Sequence, residues 1–300
     1  MMPLSIKIFA GSASQDFGVR VATAFGQQLG SLALRKFSDG ELYPVFKESI
    51  QNARVVLVQS TQPPAAHIIE LLLMIDAAKH AGAHEVIVVA PYLGYMRQDK
   101  IQDSGGPLGA KLQANILTAA GADRLITCDP HTEKIAEFFN GPVVQLSSDS
   151  VFMPYIKALE IERLTLAAPD LGAVNSAQRY AHYLGAAFVT CHKQRPAPNE
   201  VATIQVMGPV QDADIVLIDD IVDTGNTLCK AAEQLKAHGA RSIRAFCTHP
   251  VLSGNVHQNL ADSAIGELVV TDTIPLAQNS SKIKVLSIAA HIATAIQQLV

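Results

Sequence analysis

What most narrows the fold is a three-part pattern that recurs along the chain. Short apolar runs rich in Val, Ile and Leu are each followed by a polar break, and many then lead into a stretch of helical apolar spacing. The runs lie at residues 6–10, 55–59, 86–90, 125–127, 164–167, 188–191, 215–219, 243–247, 268–271 and 285–288. Helical spacing occupies residues 16–29, 65–81, 108–120, 173–184 and 227–238. Strands that are apolar on both faces need helices above and below, which is the arrangement of parallel sheets. The pattern therefore predicts an α/β fold of mainly parallel sheets flanked by helices. Residues 37–49 depart from it and read as loop and short strands. A chain of 300 residues has room for two domains with separate cores. Both halves carry the pattern, and the polar, turn-rich stretch 141–150 divides them, giving domains at 1–146 and 147–300.

Composition removes several functions. The net charge of −4 leaves no basic footprint for nucleic acid. The greasiest segment, residues 68–78, contains Glu70 and Asp76 and is too short to span a bilayer. It reads as a buried helix, or alternatively as a subunit interface. The N-terminus runs straight into a strand, without the basic and apolar regions of a signal peptide. Cys128, Cys191, Cys229 and Cys247 are scattered with no CxxC spacing, which argues against a zinc site and for reduced thiols in a cytoplasmic protein.

Polar chemistry gathers where the apolar runs stop, and ligands of open parallel sheets bind at the carboxyl ends of strands. The most informative end is DIVLIDDIVDTGNTLCKAAEQLKAHG, residues 214–239. The run 215–218 is interrupted by Asp219 and Asp220, Gly225 and Asn226 mark a turn, and helical spacing starts at Thr227. Backbone N–H groups at a helix N-terminus favour a phosphate, and Gly225 lets the backbone approach it. Asp223, Thr224 and Thr227 complete the turn, the threonines as hydroxyl donors. Asp219 and Asp220 would repel a phosphate beside them, and suit vicinal hydroxyls or a metal ion instead. A sugar phosphate satisfies both ends. No lysine follows the glycine, which excludes a P-loop.

Weaker motifs surround this one. Phe37, Asp39 and Glu41 offer an aromatic face and two carboxylates suited to a nucleotide base. Arg97 and Gln98 follow the run EVIVVAPY and suit a polyphosphate. His131 and Asp170 end different runs and suit a shared magnesium ion, directly or through water. Lys193 and Arg195, beside RPAPNE, place two cations on a loop able to close over a reacting polyphosphate. Taken singly, each of these is equally a solvated loop or a capped turn.

Together and in this order, the motifs resemble those of ribose-phosphate diphosphokinases, also called phosphoribosyl-pyrophosphate synthetases. The resemblance runs through FAGSAS, RKFSDGE, VQST, PYLGYMRQDK, TCDPHTEKIAEFF, APDLG, HKQRP, VLIDDIVDTGNT, CTHPVLSGN and VVTDTIPL, nearly the whole chain. The 219–227 loop is shared with type I phosphoribosyltransferases, whereas FSDGE and YMRQD are not, so these two separate the families. The resemblance implies two phosphoribosyltransferase-type (Rossmann-like) domains and diphosphate transfer from ATP to ribose 5-phosphate, with Mg2+ as cofactor. It also implies a homo-oligomer, with the dimer as minimal unit and the hexamer as larger assembly. By match, Phe37, Asp39 and Glu41 contact adenine from a neighbouring subunit, and Arg97 and Gln98 contact ATP. His131 and Asp170 serve magnesium, and Lys193 and Arg195 are the catalytic cations. Ribose 5-phosphate is assigned to Arg195, Asp219, Asp220, Asp223, Thr224, Gly225, Asn226 and Thr227.

The chain departs from the family pattern in three places. The arginine-rich stretch usual after RQD reads KIQDSGGPLGAK, and an arginine usual near Glu48 is Gln51. The usual Asp-x-Gly-Gly followed by arginines is Asp170-Leu171-Gly172-Ala173, with Ser176 and Gln178 in the arginine positions. These changes fall on segments the family uses for ATP phosphates, a regulatory anion and subunit contacts, so the expectation is a phosphate-independent enzyme. Two other functions share part of the pattern. A phosphoribosyltransferase would use the 219–227 loop but not FSDGE or the Lys193/Arg195 pair. A non-catalytic regulatory partner of an active synthetase would have no chemical use for Lys193, Arg195 or His131.

Overall fold

A computed structural model of the chain describes residues 4–194 and 203–299. The described residues form two units, each an α/β layer. The first comprises Met1–Ser147, Thr273–Pro275 and Ile288–Val300, and the second Ser148–Asp272 and Leu276–Ser287. Among the described residues no helix is long and apolar enough to cross a membrane.

The first unit begins with β1 (Ile6–Ala10) and α1 (Gln15–Phe25), then a hairpin of β2 (Leu32–Lys36) and β3 (Leu42–Phe46). It continues through β4 (Arg54–Val58), α2 (Ala66–His80), β5 (Glu85–Ala90), α3 (Gly109–Ala120), β6 (Arg124–Cys128), α4 (Ile135–Phe138) and β7 (Val143–Leu146). Its sheet has the order β1-β4-β5-β6-β7, all parallel, while β2 and β3 pair antiparallel as a separate ribbon. The apolar runs are buried as the pattern requires, with Phe9, Val55, Leu57, Val86 and Val88 packed on Leu71, Met74 and Ile75 of α2. That settles most of the 68–78 segment as core, although Ile69 stays 52% exposed.

The second unit runs α5 (Asp149–Ala158), β8 (Leu164–Ala168), α6 (Val174–Leu184), β9 (Ala187–Gln194), β10 (Thr203–Met207), β11 (Asp214–Val222) and α7 (Asn226–Ala237). It continues with β12 (Ser242–Pro250), α8 (Val256–Asp262), β13 (Glu267–Thr271) and β14 (Ile283–Leu286), and the chain closes with α9 (Ala289–Leu299). The sheet order is β10-β9-β8-β11-β12-β13-β14, parallel except for β10. Pleat alternation sends Ile215 and Leu217 into one core with Leu228, Ala231 and Leu235 of α7. Val216 and Ile218 enter the opposite core with Phe152 of α5 and Tyr180 of α6.

The repeated pattern is a repeated topology. Each half starts with a strand (β1 or β8), inserts an antiparallel pair (β2–β3 or β9–β10), and then lays four parallel strands in order (β4 to β7, or β11 to β14). The division between units is not the one expected from the sequence, because a continuous second domain at 147–300 would include α9. Instead α9 packs on α1, with Ile292, Ala293 and Ile296 buried. Its counterpart α5, which follows β7, packs on α6. The stretch 141–150, expected to be polar turn, holds β7 and the start of α5, because Val143 and Val144 are β-branched and pair with Leu125 and Ile126.

Candidate active site

In the second sheet the chain winds outward in opposite directions from β8 and β11, through β9 and β10 on one side and β12 to β14 on the other. A crevice at the carboxyl ends of the two central strands is the ordinary ligand position of such a sheet. The register shows how it opens. β8 pairs with β11 only from Asp214 to Leu217, whereas β12 follows β11 to the Val222–Pro250 pair. β11 therefore projects one strand-turn beyond β8, and Asp219 and Asp220 sit on that projection. The sequence pattern expects the strand to break at these aspartates; continued pairing with β12 carries it through both, with Asp219 opposite Cys247.

The projection ends in Asp223-Thr224-Gly225, and α7 starts at Asn226. Gly225 is the N-cap, at φ +75°, a left-handed conformation that L side chains rarely adopt. A Cβ there would also lie 3.2 Å from Val256 Cγ2. Thr224, Asn226 and Thr227 are exposed and Gly225 is buried, so hydroxyls and helix-end amides surround the turn. The carboxyl of Asp219 has its pKa raised well above the usual range, first by burial and then by the negative charges of Asp220 and Asp170. Its Oδ1 accepts a hydrogen bond from the Asp220 amide at 3.0 Å. Asp170 caps the β8–α6 turn, accepting from the Gly172 amide at 2.9 Å and the Ala173 amide at 3.3 Å. The structure thus brings Asp170, Asp219 and Asp220 together at one strand-end site, joined by the 223–227 turn. Cys247, fully buried behind them, has its thiol held well above its normal pKa by burial and by the charges of Asp219 and Asp220.

Lys193 lies within β9, with its backbone opposite Ile204 of β10, and not on a loop as the sequence reading expects. Strand pairing with β10 extends β9 past Cys191 to Gln194. Arg195 lies outside the described residues.

The remaining sequence-assigned residues belong to the first unit. Phe37, Asp39 and Glu41 occupy the tip of the β2–β3 hairpin, where Phe37 N donates to Glu41 O at 2.8 Å and Asp39 Oδ1 accepts from the Glu41 amide at 3.0 Å. Phe37 is 55% exposed and lies 5.5 Å from the Tyr43 ring. Arg97 is exposed after β5, and Gln98 is anchored at the start of α3 by the Ala110 amide, which donates to its carbonyl at 3.1 Å. His131 is exposed in the turn after β6. Among the described residues, no three His, Cys, Asp or Glu side chains by themselves form a group that would hold a metal ion.

The residues that brace the aspartate turn from outside carry no mark in the sequence pattern. Ser253 and Asn259, from the segment after β12, hydrogen-bond the 223–226 turn. Ser253 falls inside the CTHPVLSGN match, whereas nothing in the spacing marks Asn259.

A mainly parallel sheet covered on both faces, with paired aspartates at its switch point and a glycine turn feeding a helix, has the arrangement of a ligand-binding α/β enzyme. Two family models match the chain, the N-terminal domain of ribose phosphate pyrophosphokinase over residues 6–121 and the phosphoribosyl synthetase-associated domain over residues 173–300. The ribose-phosphate pyrophosphokinase of Porphyromonas gingivalis is 42% identical over 98% of this chain and 95% of its own length. That of Campylobacter jejuni is 40% identical with the same coverage. The crystal structure of phosphoribosylpyrophosphate synthetase from Mycobacterium smegmatis superposes with a TM-score of 0.92 at 32% identity, covering 98% of both chains. The chain belongs to the ribose-phosphate pyrophosphokinase family and is an enzyme of that class.

Proposed function

We propose that the chain transfers diphosphate from ATP to the anomeric hydroxyl of ribose 5-phosphate, giving 5-phosphoribosyl 1-diphosphate and AMP, in the cytoplasm and as a homo-oligomer. The observation that carries this is the division of labour at the end of β11. Carboxylates at Asp219 and Asp220 accept from the ribose hydroxyls, and the Asp223–Thr227 turn with the start of α7 receives the 5-phosphate. In the reaction the anomeric oxygen bonds to the β-phosphorus, the bond from that phosphorus to the α-phosphate bridging oxygen breaks, and the hydroxyl proton leaves to solvent. Such a transfer asks the protein chiefly for in-line positioning and charge stabilisation. Lys193 and Arg195 supply positive charge to the transferring group.

Mg2+ fits the site, because mutual repulsion among Asp170, Asp219 and Asp220 is relieved by a divalent cation. Asp170 would hold it with substrate phosphates and water, as magnesium ordinarily keeps few protein ligands. When bound, it neutralises polyphosphate charge. The exposed Phe37 ring at the hairpin tip supports stacking on adenine, with Asp39 and Glu41 as acceptors for its amine, and Arg97 and Gln98 serve the ATP phosphates.

The test is an assay of purified protein with ATP, ribose 5-phosphate and magnesium, following AMP and 5-phosphoribosyl 1-diphosphate together. Equal formation of both products is expected, with a loss of roughly 10²–10³ in turnover for Lys193→Ala or Arg195→Ala. No products from the wild type, or only AMP, would overturn it.

A further inference from the structure

The turn between β11 and α7 does not hold its shape alone. Three successive carbonyls are bound from outside by the segment that follows β12. The Leu252 amide donates to Val222 O at 3.0 Å, and the Ser253 amide donates to Asp223 O at 3.1 Å. Asn259 Nδ2, on α8, donates to Thr224 O at 2.9 Å. Two side-chain bonds reinforce the three. Ser253 Oγ donates to Asp223 Oδ1, and Asn259 Nδ2 also reaches Asn226 Oδ1 at 3.3 Å. One carboxamide therefore spans Gly225, gripping the residue before it and the residue after it. Asn259 is itself fixed, because its amide donates to Asn255 O at 2.9 Å and its carbonyl accepts from Cys229 Sγ at 3.5 Å.

In a trans peptide the C=O of one residue and the N–H of the next point in opposite directions. Binding the carbonyls of 222, 223 and 224 on the α8 side therefore turns the amides of Asp223, Thr224 and Gly225 to the other side. Glycine at φ +75° is the one residue in this turn with no side chain to restrict it, so its peptide plane needs an external hold.

We infer that Asn259, with Ser253, is a positioning residue for the phosphate-binding turn: it fixes the Thr224–Gly225 peptide plane so that the Gly225 amide faces the 5-phosphate of ribose 5-phosphate. The inference rests on the proposed role of the 223–227 turn. It predicts an effect confined to one substrate. Asn259→Ala removes a neutral hydrogen bond to the turn, and affinity for ribose 5-phosphate is expected to weaken roughly threefold to tenfold. The KM for ATP, measured with saturating ribose 5-phosphate, stays at the wild-type value. Adding Ser253→Ala deepens the loss, and Asn259→Gln, which keeps the amide donor, recovers part of it.

The experiment pairs steady-state kinetics with calorimetric titration of ribose 5-phosphate into wild type, Asn259→Ala and Asn259→Gln. Circular dichroism melts show whether each variant is folded. A selective rise in the ribose 5-phosphate KM and dissociation constant, partly restored in the Gln variant, supports the inference. Unchanged ribose 5-phosphate affinity in folded Asn259→Ala overturns it, and so does an equal rise in both KM values. Wild type that binds ribose 5-phosphate without forming products overturns the diphosphate-transfer reading alone, and the titrations then still decide the role of Asn259. Wild type that does not bind ribose 5-phosphate overturns both.

Discussion

At Asp219 burial and two neighbouring carboxylates all oppose ionisation. A carboxyl whose pKa is higher in the folded chain than in the unfolded one takes up a proton on folding. Stability therefore falls as pH climbs from the unfolded pKa to the folded one, and the whole penalty is present above that interval. Asp219→Asn removes the charge and keeps the shape. The ligand-free variant should melt at a higher temperature than wild type, with a larger gain at about pH 8 than at about pH 5. Turnover should fall roughly 10²-fold or more, since a ribose-hydroxyl acceptor is lost. A melting curve at each pH and one assay check both halves. Gly225 makes a second residue-scale case. Gly225→Ala must hold an L side chain at φ +75°, a strain of about 1–2 kcal/mol, against Val256. The KM for ribose 5-phosphate should rise about tenfold as the turn shifts to relieve that strain, with the KM for ATP unchanged.

The strand that presents these residues is anchored at its other end. Asp214 opens β11, buried beneath Arg241, whose guanidinium grips both carboxylate oxygens, while Ser242 Oγ donates to Oδ1 at 2.6 Å. Arg241, then Ser242, lowers the Asp214 carboxyl to about 2 despite its burial. A depressed pKa contributes stability above the unfolded value of about 4, lost as pH falls to about 2. With Arg241 half-exposed and screened, the contribution is no more than about 1 kcal/mol. Asp214→Asn should lower stability by that amount at neutral pH and flatten the acid limb between roughly pH 4 and pH 2, measured by urea titration. In the first unit, buried Glu70 of α2 accepts from the Ser12 amide at 2.6 Å, Ser12 Oγ at 2.8 Å and Gln59 Nε2 at 3.0 Å. Glu70→Ala takes the acceptor from all three and leaves buried Gln59 Nε2 with only a long bond to His67 O at 3.4 Å, and should cost about 1–3 kcal/mol. Most of the parallel strands were legible because burial on both faces writes itself as uninterrupted Val, Ile and Leu. Helices α1, α2, α3, α6 and α7 showed in their helical spacing, whereas α5 and α9, of similar length, were missed. β10 and β7 were not legible either: each pairs at a sheet edge with a short run, where context outweighs pattern. The brace at Asn259 was invisible for another reason, since it contributes one donor to a distant carbonyl and leaves no mark on local spacing.

Two chain halves of matching topology end in helices that are exchanged: α5, after β7, belongs to the second unit, and α9, after β14, to the first. Cutting at residue 147 therefore does not release an intact first unit, because α1 loses the helix packed against it. A 1–147 fragment should melt without a cooperative transition, and supplying residues 288–300 through a linker should restore one. Regulation by phosphate is a property of the whole chain, because a regulatory anion site needs charged or strongly polarised donors from several segments at once. Those segments are depleted here. Residues 100–111 offer only Lys100 and Lys111 as cations and carry adjacent glycines at 105 and 106. Ser176 and Gln178 on α6 are neutral, and so is Gln51, whose carboxamide lies against Gly82 at the amino end of β4. At 51, 176 and 178 a neutral side chain stands where the sequence resemblance expects arginine, and a bidentate guanidinium grip is worth about twice a neutral hydrogen bond. Activity should therefore change by less than about twofold as phosphate is raised from micromolar to tens of millimolar at fixed ionic strength and magnesium. A steep rise would mean that some other set of residues builds the anion site, and reinstating arginine at 51, 176 and 178 should then have no effect on it.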